Sequence, residues 1–152
     1  MTLMTRLAVA LATVAWTACA FGQSTLGAVV DAGAKPLTPE DFKQQVMQRI
    51  LVGPTATGGS LEYIYAGNGM IEGRGMVHQQ GGPQPRVEGQ WKFDDSGRVC
   101  TTMIVYAAPG ASTAGFNLGM RCQHWYRLGA DYFIADSDTD RSAKVLRRSI
   151  KQ

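Results

Sequence analysis

Apolar and polar residues keep one rhythm early in this chain and another for the rest of it. Phe42, Val46, Met47, Ile50 and Leu51 recur at helical spacing, which predicts an amphipathic helix with one packed face. Its start is well marked. Thr38 is a good N-cap, Pro39 suits the first helical position, and Glu40 and Asp41 complement the positive end of the helix dipole. Gly53-Pro54 is the predicted stop.

Beyond that point the period is two. Residues 61–65 read as a strand, Gly67-Asn68-Gly69 as a hairpin turn, and residues 70–79 as its partner. Val87, Gly89, Trp91 and Phe93 alternate with Glu88, Gln90, Lys92 and Asp94, the pattern of a half-buried strand, and Asp94-Asp95-Ser96-Gly97 reverses the chain. Further strands are predicted over residues 98–106, 118–127, 132–135 and about 143–150, with a small-residue loop over 107–117. About seven strands with short turns predict a mainly β (α+β) fold. It is one N-terminal helix followed by an antiparallel meander, either a small barrel or a strongly curved sheet, with the helix over its open end. The β-rich domain spans 37–152, and the Gly/Ala-rich residues 23–36 read as a flexible leader.

The first 22 residues follow a different logic. Arg6 precedes an apolar run from Leu7 to about Ala18, and small residues follow. That is the layout of a secretory signal peptide, with cleavage after Ala20 or after Gly22. The run falls short of the roughly 20 residues a bilayer-spanning helix needs, and no later apolar run is long enough either. The expected location is therefore the periplasm or the medium. The alternative is a lipoprotein anchored through Cys19, although the bulky Trp16 stands where such signals carry leucine.

With the signal removed, only Arg6 leaves the charge count, so the formal +3 becomes about +2. Bulk charge does not mark a polyanion binder, and no nucleic acid partner is expected. Of three cysteines, Cys100 and Cys122 stay in the mature domain. An even pair in an exported chain predicts a disulfide. Zinc would want closely spaced Cys or His pairs, whereas the histidines are His78 and His124 alone, and there is no C-x-x-C to lower a thiol pKa. If the two strands pair about a loop centred near residues 110–111, Cys100 faces Cys122 and opposed residues share the sum 222, as Thr102 and Met120 do.

Several motifs resemble chemistry and are read as architecture. Gly53-Pro54-Thr55-Ala56-Thr57-Gly58-Gly59-Ser60 matches a phosphate-binding loop except that Gly59 replaces the lysine, and it joins a helix to a strand rather than the reverse. Gly67-Asn68-Gly69 through Gly75 lacks the βαβ context of a dinucleotide fingerprint. Asp136, Asp138 and Asp140 alternate like calcium ligands, but Arg141 and Arg147 stand where an EF-hand has glycine and glutamate. The basic end around Lys144, Arg147, Arg148 and Lys151 reads as an edge strand guarded by charge. His124 shares a strand with Trp125 and Tyr126, and these three are the candidate binding residues; the sequence assigns no catalytic residue, metal or cofactor.

The order LTPEDFKQQV, Tyr-rich strand with G-N-G turn, EGQW, GRVC and RCQHWYRLGADYF resembles small exported bacterial proteins grouped as domain of unknown function 995. The resemblance spans residues 37–150 and rests on Gly89-x-Trp91 with Cys100 and on Cys122 with Trp125-Tyr126. It implies an exported β domain and supplies no catalytic residues. The functional expectation is a monomeric, non-enzymatic binding or accessory module meeting an unknown protein or small ligand of the cell envelope. The alternatives are a small envelope enzyme using His124, and an inhibitor of a cell-wall hydrolase acting through the loop 107–117.

Overall fold

The computed structural model describes residues 24–55, 59–76, 84–108, 110 and 115–152. The signal peptide reading, Cys19 and His78 lie outside these residues, as does part of the loop 107–117. Among the described residues there are two helices and nine strands: α1 (Leu26–Asp31), β1 (Lys35–Pro36), α2 (Pro39–Gln45), β2 (Leu51–Pro54), β3 (Ser60–Tyr65), β4 (Met70–Met76), β5 (Arg86–Phe93), β6 (Val99–Tyr106), β7 (Phe116–Leu128), β8 (Asp131–Ala135) and β9 (Leu146–Ile150).

Strands β2 to β9 each pair antiparallel with the next in chain order, and β9 pairs back onto β2. The result is a closed eight-stranded up-and-down barrel, the barrel form of the expected antiparallel meander, with eight wall strands in place of about seven because residues 51–54 form β2, and with β1 as a short ninth strand on β7. An eight-stranded barrel has an interior just wide enough to be filled by side chains or to hold one small ligand. Here Leu51, Leu61, Tyr63, Tyr65, Ile71, Val87, Val99, Val105, Trp125, Tyr132 and Ile134 converge inside it with Phe42 and Val46.

Helix α2 is a stopper. Thr38 and Asp41 form a capping box: the Asp41 N–H donates to Thr38 Oγ1, and the Thr38 N–H donates to Asp41 Oδ2. Phe42 inserts among four rings, with centroids 5.2 Å from Tyr65, 5.5 Å from Trp91, 5.6 Å from Phe93 and 5.0 Å from Trp125. Most of these contacts are edge-on, the arrangement ring quadrupoles favour. The same end holds the β3–β4, β5–β6 and β7–β8 turns, because an up-and-down meander puts alternate connections at alternate ends.

The helix is shorter than its apolar spacing predicts. It stops at Gln45, Gln48 takes a left-handed φ of 61°, and the Gln48 N–H donates to Tyr65 O. Leu51 is fully buried as predicted, but as the first residue of β2. Periodicity cannot tell these readings apart, since position 51 faces the core in both.

The expected leader is also different. Thr25 caps a real helix, with the Ala28 N–H donating to its Oγ1. Leu26 and Val29 from α1 pack with Ala34, Tyr126, Phe133, Ala135 and Val145 in a second core outside the barrel wall. Residues 24–36 are therefore built into the fold. The small residues that suggested flexibility are what let α1 lie close: a side chain on Gly27 would meet the backbone of Arg141 at 3.0 Å.

Candidate functional site

The predicted staple is present. Cys100 and Cys122 are bonded and directly opposed across β6 and β7. Val99 with Gln123, Cys100 with Cys122, Thr101 with Arg121 and Thr102 with Met120 all keep the sum 222. Beyond Thr102 the register slips by one, so that Ile104 faces Asn117 and Val105 faces Phe116. A bulge supplies the extra residue, and Gly119 with φ 66° makes the left-handed step that such bulges use. An intramolecular disulfide belongs to an oxidising compartment rather than to a reducing cytosol. No helix of the described residues is long and apolar enough to cross a membrane.

The three predicted binding residues do not form one surface. Trp125 is 3% exposed and belongs to the barrel interior, whereas Tyr126 is 5% exposed and lies under α1. Strand β7 is covered on both faces at this level, which the sequence pattern Trp-Tyr does not signal. His124 is partly buried, and its Nε2 sits 3.9 Å from Asp138 Oδ1, outside hydrogen-bond range. Burial, with Asp138 nearby, pushes the Tyr126 phenol up from its ordinary pKa.

The acid-rich turn is occupied by protein partners. Asp136 receives Arg121 Nη2 at 2.6 Å and Gln123 Nε2 at 2.7 Å, and Asp140 receives the Ser142 N–H and hydroxyl. Those Ser142 bonds hold Asp140 below the usual carboxylate range. Asp94 approaches the two cysteines closely enough to suggest a metal cluster, but both thiols are consumed by the disulfide. Two surface hollows are present. One of about 340 Å³ runs outside the barrel over the disulfide, between Met70, Lys92 and Met120. The other, about 430 Å³, lies beside α2 between Lys35, Gln45 and Arg127. Lys92 in the first and Lys35 and Arg127 in the second are exposed to solvent.

The most unusual chemistry is inside the barrel, at a residue read from sequence as part of a charged edge strand. Closure corrects that reading: β9 has a neighbour on each side, β2 and β8. Leu146, Arg148 and Ile150 share one face by the period of a strand, and Leu146 and Ile150 pack on the barrel core. Arg148 is 5% exposed. Its Nε donates to the Tyr63 hydroxyl at 2.9 Å, and its Nη1 donates to the carbonyls of Pro54 and Arg147, both at 2.8 Å. The guanidinium lies 5.7 Å from the Tyr63 ring centroid. Gly53 makes room for it, since a side chain there would come within 2.8 Å of Nη1.

No carboxylate pairs with Arg148 among the described residues. The nearby acid on β3, Glu62, is taken by Lys151 Nζ at 3.0 Å and Arg74 Nη2 at 3.2 Å. The Lys151 hydrogen bond, with Arg74 assisting, keeps Glu62 below its ordinary pKa despite burial. Tyr65 carries the polar chain further in: burial pushes its phenol far up, and the neighbouring Tyr63 adds to the shift. A signal for Arg148 does exist in the sequence, because LRRSI places one arginine in phase with Leu146 and Ile150.

Arg148 reaches toward Pro54, at the barrel end that carries the β2–β3, β4–β5, β6–β7 and β8–β9 connections. The same end holds exposed apolar side chains. Tyr106 is 37% exposed, Leu118 43% and Phe116 53%. No known family model matches the chain, and neither the curated proteins nor the solved structures contain a match.

Proposed function

We propose that this protein is an exported, non-enzymatic binding module, working in the periplasm or outside the cell, whose ligand meets the barrel end away from α2. The carrying observation is the contrast between the ends. One is filled by Phe42 and its ring of aromatics, while the other presents Tyr106, Phe116 and Leu118 to solvent. A barrel mouth is a favoured place for small ligands, which are held by apolar walls and a few polar groups. The Cys100–Cys122 bridge supports an oxidising destination. The N-terminal signal pattern and the resemblance to domain of unknown function 995 agree with export.

Two measurements test this reading. Intact mass of the protein from the cell envelope should match cleavage after Ala20 or Gly22, with two hydrogens missing for the disulfide. An uncleaved chain found in the cytosol would refute export. Native mass spectrometry of the protein purified from its own compartment should show a mass excess from a retained small molecule. That excess should fall in Leu118→Ser; an excess unchanged by Leu118→Ser and Phe116→Ser would move the site elsewhere.

A further inference from the structure

Arg148 is held in a way that leaves a defined part of it unused. A guanidinium has five N–H groups and stays charged at any pH a protein meets. Three of the five are engaged, by Tyr63 Oη, Pro54 O and Arg147 O. The two on Nη2 donate to none of the described residues. No buried polar side-chain atom of the described residues lacks a partner, so Nη2 is the edge of the group that still reaches solvent.

The three acceptors it does have are neutral, and neutral acceptors orient a guanidinium without cancelling its charge. A cation taken out of water without a counter-ion is costly, and proteins ordinarily pair or coordinate such a charge. Here the fixed bonds, the Tyr63 ring and the missing side chain at Gly53 aim the group, while its charge is left for something else.

Resting on the reading of this barrel end as the binding mouth, we propose that Arg148 is an anion anchor, its Nη2 edge receiving the oxyanion head of a small amphipathic ligand. Charged hydrogen bonds from arginine to carboxylate or phosphate oxygens are short and strong, and a pre-aimed guanidinium loses little freedom in making them. The rim dictates the remainder of the ligand. Phe116 and Leu118 stand at the same end of the barrel and offer an apolar surface that a simple inorganic ion would not use. The head is thus an oxyanion and the body is apolar. Tyr63 is the positioning residue, because its hydroxyl fixes Nε and thereby the plane of the group.

Decanoate, decanol and acetate are the probes, titrated against the disulfide-bonded protein by isothermal titration calorimetry. The expected result is saturable decanoate binding at least tenfold tighter than decanol, with acetate weaker than either. Decyl phosphate in place of decanoate separates the two kinds of oxyanion head, and either one outbinding decanol supports the anchor. Arg148→Gln should abolish the preference for anion over alcohol, and Tyr63→Phe should reduce it. Leu118→Asp, on the exposed rim, should weaken decanoate without unfolding the domain. If Arg148→Gln fails to fold, the wild-type comparison decides alone. Neither decanoate nor decyl phosphate binding more tightly than decanol, or no saturable binding of any probe, would overturn the anchor. Equal affinities that both fall in Leu118→Asp would overturn it while leaving the mouth reading intact.

Discussion

The two ends of this barrel solve the problem of a polar opening in opposite ways. At the α2 end, Phe42 fills the opening, and the groups left over are satisfied locally: Trp91 Nε1 donates to Ala66 O at 2.9 Å, and Arg127 Nη1 to Gln45 Oε1 at 2.9 Å. At the other end a guanidinium is drawn inside, with no counter-charge among the described residues. The first is an arrangement for stability, with apolar area, ring contacts and a capped helix all favouring the closed form. The second is costly to the folded state unless something outside the chain completes it. Stability and function are therefore expected to separate by end, and substitutions can test that division.

The largest loss should come from the plug. Phe42→Ala removes a fully buried ring in contact with four others and should cost about 3–5 kcal/mol, read as a lower midpoint in urea unfolding. An effect near zero would mean that α2 is not the stopper. Next comes the staple. Cys100→Ser with Cys122→Ser, or reduction of the native bridge, should cost about 3 kcal/mol, because the loop closed spans a separation of 22 residues. Thermal unfolding with and without reductant checks it.

Arg148→Met should cost less than either, about 1–3 kcal/mol. Removing a buried charge relieves desolvation, while Pro54 O and Arg147 O lose their donor. A loss as large as that of Phe42→Ala would make Arg148 a structural keystone and blur the division between the ends. Thr38→Ala, which uncaps the plug, should cost about 1 kcal/mol.

The smallest effect is one of pH. At Asp94, burial would raise the pKa, but it is outweighed by hydrogen bonds from Ser96 and Arg98 and by the Arg98 charge, and the carboxyl falls to about 2. A carboxyl depressed on folding stabilises the protein above its unfolded pKa, and that contribution fades as the pH falls toward about 2. Asp94→Asn should therefore melt earlier than wild type at neutral pH and converge with it near pH 2. Parallel melting curves across that window would contradict the lowered pKa of Asp94.

Much of the plugged end was legible in the sequence, because its devices are local. The Thr38-Pro39-Glu40-Asp41 cap, the Gly67-Asn68-Gly69 turn and the alternation from Val87 to Phe93 each sit within a few residues and report on themselves. The Cys100–Cys122 register was legible for the same reason, up to the bulge at Gly119, where an inserted residue obeys no alternation. The mouth was less legible because it depends on closure. Arg148 reads as an edge charge until β2 is known to lie against β9, and that pairing joins opposite ends of the domain. Tyr126 could be called buried only once α1 was known to cover it. Its covering helix has only six residues, too short a run for helical periodicity to stand out.

The β2–β9 contact has a consequence for how the molecule comes into being. Only two opposed pairs make it, Leu51 with Ile150 and Val52 with Ser149. The other wall pairings, from β2–β3 through β8–β9, join consecutive strands. Hairpins between sequence neighbours close readily, whereas a seam between distant segments must wait until the intervening chain is organised. Assembly should run around the wall and finish at this seam. The buried arginine is then enclosed only in the last step, when Gly53 and Pro54 meet β9, so its anchoring geometry does not exist in any partly formed barrel.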